Sequence, residues 1–586
     1  MKQSVKKSFS RKKAAVISLA LMTMLVILLN MLGSFRFYRL DLTTEKRYSL
    51  NRESIKLLTN LKDVVYVKVY LEGELPAGYK KLRNATQEML DEFRAFTPNV
   101  EYEFINPSAS EDERERKAIY RQLMQDGLVY TTPVEEKGAG VSQTLLWPGA
   151  LVSFRGQTLP LQLLKSSTYA NEELMLTRAV NDLEYELTNT IRKLNSVVKP
   201  RVAFIEGHGE LDSLETKDLN LALKEYYTVA RVRLDSSLSS LIYRTKKDDS
   251  LIFVPRYSAI IIAKPDSVFS EKDKFLIDQY VMRGGKVLWL IDRVDASMDS
   301  LSASNATMVY PLDLNLDDML FRYGARINSD LVMDLNASVI PVIVGMVGNQ
   351  PRFAPKRWPY FPLCMPASNH PTVNNLNATR FEFANSIDTV GSSDIRKSVL
   401  LRTSGRSTRI NAPARISLNI LREKPDPKIY AQQGIPLAVL LEGKFQSVYQ
   451  NRLIAALMNN PEIGYKPASE KPGKMIVVAD GDVARNAVNK NGQIAPLGYD
   501  RYSGELFGNK DFLLNCVNYL CDDAGLISVR SRTAKLRLLD ETKIKAERTS
   551  IQLKNVVLPI VLLLLAGLVL VNLRKRKYAR SLKGPV

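Results

Sequence analysis

The stretch RVAFIEGHGEL at residues 201–211, followed by SAIIIAKP at 258–265 and KVLWLID at 286–292, decides the fold class of this chain. Each stretch contains four or five consecutive apolar residues, which predicts a strand that is buried on both faces. Helical segments are predicted between these strands, and one of them begins at Ser270 as N-cap and ends at Gly284. Buried strands that alternate with helices predict a doubly wound α/β domain with a largely parallel sheet.

We assign this larger domain to residues 198–530 and a smaller extracytoplasmic α/β domain to residues 33–197. The smaller domain contains short strands such as VVYVKVYL and VEYEFINP, and helices with an apolar stripe of 3.6-residue period. A proline-rich insertion at residues 341–371 interrupts the larger domain. Because proline removes a backbone donor, we expect this insertion to be an extended segment without regular structure.

Two apolar runs, at residues 14–32 and 556–573, predict a membrane-spanning helix near each end of the chain. Their lengths approach the roughly 20 residues that cross the hydrocarbon core of a bilayer. A cleaved signal peptide is the alternative for the first run, but that run is long for a signal peptide and no small-residue cleavage pattern follows it. Residues 531–555 are charged and predict a helix that continues directly into the second span.

Short basic tails, residues 1–13 and 574–586, flank the two predicted spans and carry six lysines and arginines each. The positive-inside rule places both tails in the cytoplasm and the body of the chain on the other side of the membrane. The tails account for 12 of the formal net charge of +20. The basic composition therefore reflects membrane topology, and we expect no nucleic-acid partner.

Several enzyme classes are excluded by their missing motifs. The sequence contains no phosphate-binding loop, no G-x-S-x-G elbow, no H-E-x-x-H and no C-x-x-C, and it has only two histidines. Its three cysteines, Cys364, Cys516 and Cys521, are too few for a disulfide scaffold. We therefore expect no catalytic residue, no cofactor and no metal.

Two loops that follow predicted strands carry the candidate ligand-binding residues. Glu206, His208 and Glu210 follow the first buried strand, and Asp480 and Asp482 lie in VVADGDVARN after a later one. Ligands of doubly wound folds bind at the carboxyl ends of strands, so these residues are predicted to flank one crevice. The alternatives are that His208 caps the following helix and that the two aspartates accept hydrogen bonds from their own turn rather than hold a cation.

The proline-rich insertion carries the candidate partner-contact residues. They are aromatic or heteroaromatic side chains within WPYFPLCMPASNHP: Trp358, Tyr360, Phe361 and His370. If the insertion is an exposed recognition segment, these side chains are predicted to contact a partner. For His370 the alternative is a structural role.

An ordered series of segments resembles one protein family. The segments are EKRYSLNRESIKLL, VKVYLEGELPAGYKKLRNATQEMLDEF, EFINPS, NDLEYELTNTIRKL, RVAFIEGHGEL, WPYFPLCMPASNHPTVNNL, VVADGDVARN and RLLDETKIKAERTSIQLKN. Together they resemble the gliding-motility GldG family over nearly the whole extracytoplasmic part of the chain. The resemblance implies an auxiliary, substrate-binding-like component of an ABC transporter, paired with a multispanning permease and, through it, a cytoplasmic ATPase in the inner membrane.

The same resemblance implies a body similar to a module of an intraflagellar-transport subunit and an amidotransferase-like fold for the larger domain. This chain departs from the class I glutamine amidotransferases because no cysteine nucleophile follows any of its predicted strands. The implied enzyme activity is therefore not expected here.

Three functional hypotheses follow from these observations. The first is a non-enzymatic, membrane-anchored auxiliary subunit whose body binds a periplasmic protein or a small molecule. The second is an envelope scaffold that bridges the inner membrane and the motility machinery through the proline-rich insertion. The third, which we favour least, is a hydrolase of amidotransferase-like fold that uses the loops of His208 and Asp480.

Overall fold

The structure is a computed structural model of the chain, and its description covers these residues: 16–28, 30–31, 49–137, 140–143, 145–164, 172–195, 199–234, 237–247, 250–347, 350–374, 376–391, 393–452, 460–488, 492–522 and 553–579. The predicted helix at residues 531–555 lies almost entirely outside the described residues. So do most of the two basic tails.

The first part of the body is a four-stranded sheet covered by helices. Its helices are α1 (Arg52–Thr59), α2 (Ala77–Phe96), α3 (Glu113–Gln125) and α4 (Glu172–Asn195). Its strands are β1 (Val65–Val69), β2 (Val100–Phe104), β3 (Val134–Lys137), β4 (Gly140–Gln143), β5 (Gly149–Phe154) and β6 (Gln157–Gln162). The sheet has the order β2-β1-β5-β6, and β3 and β4 form a separate two-stranded sheet.

Local sequence explains these elements. Asn51 caps α1, because its side chain accepts a hydrogen bond from the backbone N–H of Glu53. Alternate residues of β1, Val65, Val67 and Val69, are fully buried under the helices. The predicted smaller α/β domain therefore has a hydrophobic core of its own.

The second part of the body is built on a ten-stranded sheet. Its helices are α5 (Lys217–Lys224), α6 (Glu271–Met282), α7 (Met298–Ser304), α8 (Asp317–Tyr323) and α9 (Asn509–Cys521). Its strands are β7 (Arg201–Glu206), β8 (Thr228–Arg233), β9 (Ile242–Lys247), β10 (Ser250–Pro255), β11 (Ala259–Ala263), β12 (Lys286–Leu290), β13 (Ala306–Val309), β14 (Ala325–Ile327), β15 (Asp330–Asp334), β16 (Ala337–Val347), β17 (Gln350–Pro366), β18 (Thr379–Arg380), β19 (Ile387–Thr389), β20 (Ile395–Arg402), β21 (Ser407–Asn411), β22 (Ala414–Ser417), β23 (Pro436–Gly443), β24 (Gly473–Val478), β25 (Tyr499–Asp500) and β26 (Glu505–Leu506).

One half of the large sheet is parallel and doubly wound. The strand order is β16-β17-β20-β23-β24-β12-β11-β7-β8, with β18 paired to β17, and the five strands from β24 to β8 are parallel. Numbered along the chain, these five strands have the order 2-1-3-4-5, with the switch point between β7 and β11. Helices α6 and α8 pack on one face, and α5 and α9 pack on the other.

The other half of the sheet is antiparallel, which corrects the prediction of a largely parallel sheet. Strand β23 pairs antiparallel with β24, and β20 and β17 continue the antiparallel pairing. The prediction failed because β23 is also buried on both faces, so its apolar run resembles that of a parallel strand.

The proline-rich insertion is also regular, against expectation. Residues 350–366 form the 17-residue strand β17, which pairs with β16 in a long hairpin. The prolines are accommodated because β16 is the edge strand of the sheet, and outer residues of β17 have a partner on one side only. Pro341 and Pro355 face each other in this hairpin.

Apolar helices lie near both ends of the described chain. The helix at Leu553–Arg576 has 24 residues and is long and apolar enough to cross a membrane, and it includes the predicted span 556–573. Its regular α-helical part, α10, is Leu558–Ala579. Within the predicted span 14–32, the helix Val16–Leu28 is apolar but shorter. These helices are consistent with membrane anchoring.

Candidate functional site

Polar side chains meet where three neighbouring parallel strands end. Lys264 follows β11, Asp292 lies two residues after β12, and Asp480 and Asp482 follow β24. Carboxylate oxygens of the three aspartates lie within 4.8 Å of one another. We call these four residues the strand-end cluster.

Lys264 supplies the positive charge of the strand-end cluster. Its Nζ lies 2.7 Å from Oδ2 of Asp292 and also donates a hydrogen bond to Oδ2 of Asp482. The lysine side chain is only 19% exposed, so both ion pairs are shielded from solvent. The ammonium thus occupies the position between two carboxylates that a cation would otherwise take.

Backbone N–H groups hold the aspartates in place. Gly481 N donates to Oδ1 of Asp292 at 2.6 Å, and Asp482 N donates to Oδ1 of Asp480 at 2.7 Å. The second oxygen of Asp480, Oδ2, accepts from Glu382 N at 2.6 Å. Both oxygens of Asp480 therefore accept hydrogen bonds within the fold, one from its own turn and one from the distant residue Glu382.

The backbone of Lys264 has an unusual conformation that fits tightly against the turn after β24. Its φ is +55°, a left-handed value that is uncommon for residues other than glycine. A Cβ added to Gly481 would lie 2.4 Å from Cβ of Lys264, so only glycine allows the two loops to approach so closely. The ion pairs of Lys264 thus depend on tertiary packing as well as on charge.

A second layer of charged side chains surrounds the cluster. Arg485 lies 2.8 Å from Oδ1 of Asp482 and 3.1 Å from Oε1 of Glu215, and Arg380 contacts Glu382 at 2.5 Å. The loops after β7 and β24 are therefore joined through Glu215 and Arg485.

Burial and charge shift the pKa values of the cluster. Burial raises the pKa of Asp480 well above its usual range, and the charges of Asp292 and Asp482 act in the same direction. Burial lowers the pKa of Lys264, but the carboxylates of Asp292 and Asp482 outweigh it, so the pKa lies above its ordinary value. An ammonium that holds its proton so firmly is neither a nucleophile nor a general base at neutral pH.

His208 lies apart from the strand-end cluster. Its ring stacks on Phe269 with centroids 3.7 Å apart, and its Nδ1 and Nε2 lie 3.3 Å from Glu210 and 3.4 Å from Asp273. Among the described residues, no hydrogen bond or ion pair joins His208 to Asp480 or Asp482. Both ring nitrogens of His208 therefore face carboxylates.

Glu206 and Glu210 serve the same loop. Glu206 pairs with Arg231 of β8, which also donates to the backbone oxygen of Leu211 at 2.5 Å. Glu210 accepts from the backbone N–H of His208 at 2.7 Å. Of the predicted crevice residues, the structure thus brings together Asp480 and Asp482, and it pairs His208 with Glu210 and Glu206 with Arg231.

The predicted partner-contact residues are mostly buried. Trp358, Tyr360 and Phe361 are at most 3% exposed and pack in one core cluster with Phe383. The structure corrects the expectation that these three side chains form an exposed contact, because the inner part of β17 passes over that core. His370 is half-buried, and its Nδ1 contacts the hydroxyl of Thr372 at 2.9 Å, which favours the structural alternative.

An open cleft of about 800 Å³ begins at Arg293, the residue after Asp292. Its wall carries four arginines, three of which pair with aspartates. The fourth, Arg322, donates to the side chains of Gln446 and Gln450. None of the four residues of the strand-end cluster lines this cleft, and neither does His208.

Sequence reasoning missed Lys264 and Asp292, although a signal was available. Each follows a fully apolar strand, as Asp480 does. Lys264 and Asp292 belong to no acid pair and no histidine motif, so neither was predicted. A rule that considers every charged residue just after a buried strand would have found both.

Comparison with known families agrees with the resemblance at a coarser level. Residues 199–516 match the sequence model of a family described as an ABC-type uncharacterized transport system. This match spans more than half of the chain. The chain belongs to this transport-system family. The smaller domain, over residues 44–153, matches a separate domain family of unknown function.

Individual relatives of this transport-system member are distant. An uncharacterized protein of Borreliella burgdorferi is 21% identical over 450 residues, which cover 75% of this chain and 80% of that protein. Among solved structures, the mmIFT52 N-terminal domain is 12% identical with a TM-score of 0.30, over 55% of this chain and 97% of that domain. An exo-beta-1,4-mannosidase of an Opitutaceae bacterium is 11% identical with a TM-score of 0.17, over 85% of this chain and 56% of the enzyme. Similarity at these identities and TM-scores supports no conclusion about function.

Proposed function

We propose that this chain is a non-enzymatic, membrane-anchored auxiliary subunit of an ABC transport system. It contacts a multispanning permease through its apolar terminal helices and, through that permease, works with a cytoplasmic ATPase. The observation that carries the proposal is the family match over residues 199–516, in a chain with a membrane-length helix at Leu553–Arg576.

The strand-end cluster supports the non-enzymatic part of the proposal. In doubly wound enzymes this edge of the sheet holds the reacting groups. Here a protonated lysine and three aspartates occupy it, and their hydrogen bonds and ion pairs are made within the chain. Burial raises the pKa of the thiols of Cys364 and Cys516 well above the usual range, which disfavours the reactive thiolate.

The finer assignment rests on the sequence resemblance. We propose membership of the gliding-motility GldG family, with an amidotransferase-like relationship for the doubly wound half of the sheet. In this proposal both termini are cytoplasmic and the body lies in the periplasm, in accordance with the six cations in each tail. The body then presents its cleft and surface loops to a periplasmic protein or a small molecule.

Co-purification from native membranes tests the auxiliary role. We expect the tagged full chain, extracted in mild detergent, to bring down a multispanning permease and its ATPase. A matched control replaces residues 556–573 by an unrelated apolar span, which keeps the membrane anchor and removes the specific helix surface. Recovery of the wild-type chain alone, or equal recovery of the permease with the control, would contradict the proposal.

Topology is tested separately with reporters fused to each end. We expect a reporter that is active only in the cytoplasm to function at both termini, and a protease added to the periplasm to digest only the body. Periplasmic accessibility of either terminus would overturn the proposed orientation, while the family assignment would stand.

A further inference from the structure

The outer part of the hairpin β16–β17 extends beyond the core of the body. We call residues 341–347 and 350–357 the arm; they pair with each other from Pro341–Pro355 to Val347–Gln350. Every residue of the arm whose exposure is described is at least partly exposed. Burial begins at the base of the arm, with Ile340 on β16 and Trp358 on β17. The arm is thus a narrow two-stranded ribbon that is open to its surroundings.

Large apolar side chains are concentrated on the arm. Ile343, Met346 and Phe353 are 58%, 61% and 56% exposed. Ile343 and Phe353 are directly opposite partners in the ladder, so their side chains lie on the same face. Single exposed apolar residues are common on proteins, but three on one short ribbon indicate a surface that is covered in the working state.

All charged residues of the arm are cations. Arg352, Lys356 and Arg357 lie on β17, and residues 341–357 contain no aspartate or glutamate. None of the three forms an ion pair with any described residue; Arg357 only approaches the backbone oxygen of Leu335, at 3.5 Å. The arm therefore combines unneutralised positive charge with exposed apolar groups, which is the pattern of a surface that binds anionic membranes.

We propose that the arm binds the surface of an anionic lipid bilayer. The cations contact lipid phosphates, and Ile343, Met346 and Phe353 enter the boundary between headgroups and acyl chains. The inference rests on the membrane anchoring in the proposed function, but it requires neither a permease nor an ATPase.

The short connection between anchor and body favours a membrane over a soluble partner. Only residues 32–48 separate the described end of the N-terminal apolar helix from the body. Seventeen residues reach at most about 60 Å even when fully extended. A body held this close to a bilayer meets its lipids at a high effective concentration, so a weak interfacial arm suffices for binding.

The test measures contact between the arm and lipid in the full-length chain. Phe353 is replaced by Cys in a Cys521→Ser background, because Cys364 and Cys516 are buried, and the new thiol carries an environment-sensitive fluorophore. The chain is reconstituted in phosphatidylcholine liposomes with about a third phosphatidylglycerol, and nitroxide-labelled lipids serve as quenchers. The control label is at Val268, which is 58% exposed on another loop.

We expect the label at position 353 to be quenched several-fold more than the label at position 268. The triple substitution R352Q/K356Q/R357Q removes the three positive charges of the arm. It weakens binding of the arm to the bilayer on the order of a hundred-fold, and quenching of the label at position 353 falls to the level of the control at position 268. Pure phosphatidylcholine or 1 M salt has the same effect.

Two results would overturn the proposal. The first is equal quenching of the labels at positions 353 and 268 in anionic liposomes in which the chain is still embedded. In that case the membrane anchoring stands, but the arm does not bind lipid. The second is a photo-crosslink from position 353 to a protein in native membranes without quenching by lipids in liposomes, which assigns the arm to a protein contact.

Discussion

At the scale of single residues, Lys264 is the group on which the strand-end cluster depends. Replacing it by Met leaves three aspartates, two of them buried, without the cation beside them. Breaking a buried ion pair by removing one partner destabilises proteins by about 3–5 kcal/mol, and we expect Lys264→Met to lie in this range. The measurement is the free energy of unfolding in denaturant, with Lys424→Met at an exposed position as control. A loss below about 1 kcal/mol would show that the aspartates are already neutralised by protons.

A second prediction concerns the pH dependence of stability through Asp480. Its pKa is raised in the folded chain, so the folded state binds the proton more tightly than the unfolded state does. The stability from this group is complete below the ordinary pKa and is lost as pH rises through the raised value. Asp480→Asn cannot titrate. The free energy of unfolding of wild type, measured relative to this variant, should therefore fall as pH rises from about 4 toward neutrality. A difference that grows with pH would contradict the raised pKa.

Sequence reasoning reached part of this site. The position of Asp480 and Asp482 after an apolar strand was a sufficient signal, and both residues belong to the cluster. The left-handed backbone of Lys264 and its contact with Gly481 are products of tertiary packing between loops more than 200 residues apart. Local composition contains no information about such an approach.

At the scale of elements, the hairpin β16–β17 divides into a buried base and an exposed arm. Trp358 at the base is fully buried, whereas Phe353 in the arm is 56% exposed. We expect Trp358→Ala to lower the free energy of unfolding by about 3–5 kcal/mol, because it leaves a large cavity. Phe353→Ala should change it by no more than about 0.5 kcal/mol.

Chemical denaturation of the two variants in detergent measures this difference. Similar losses for both would mean that the arm packs on the body. A negligible loss for Trp358→Ala would restore the original expectation of an exposed aromatic contact.

Elements were predictable where burial and strand direction are linked, and less so elsewhere. Ser270 caps α6 as expected, with its side chain accepting from the backbone N–H of Asp273. Strand direction in β20 and β23 was not predictable, since burial on both faces occurs in parallel and antiparallel strands alike. The proline content of residues 341–371 also led to a wrong prediction of irregular structure. The hydrogen-bond ladder of an edge hairpin tolerates residues that lack a backbone donor.

At the scale of the whole molecule, the body contains separate cores. The small domain and the ten-stranded sheet bury different sets of side chains. Side-chain contacts between them include the polar pairs Arg178–Asn377 at 3.1 Å and Arg192–Asp522 at 3.8 Å. We therefore expect two thermal transitions for the full chain in detergent.

Core substitutions assign those transitions. Leu82 lies in the core of the small domain and Leu288 in the large sheet, and both are fully buried. Leu→Ala at either position should lower one midpoint by roughly 5–10 °C and leave the other unchanged. Equal shifts of a single transition with both variants would show that the two cores unfold together.

The C-terminal apolar helix was predictable from the sequence because it depends on a long, strongly patterned segment. The pairing of distant segments in one sheet was not predictable from the sequence, since no local pattern indicates which strands are neighbours.

The neighbours β12 and β24 show what that pairing implies for biosynthesis. They lie side by side in the sheet, but residues 291–472 separate them in the chain. At ribosomal speeds of about 5–20 residues per second, the open edge of β12 waits roughly 10–40 seconds for its partner. During this interval the edge of β12 is an unpaired template that other strands can bind, so this topology leaves the chain open to mispairing while it is synthesised.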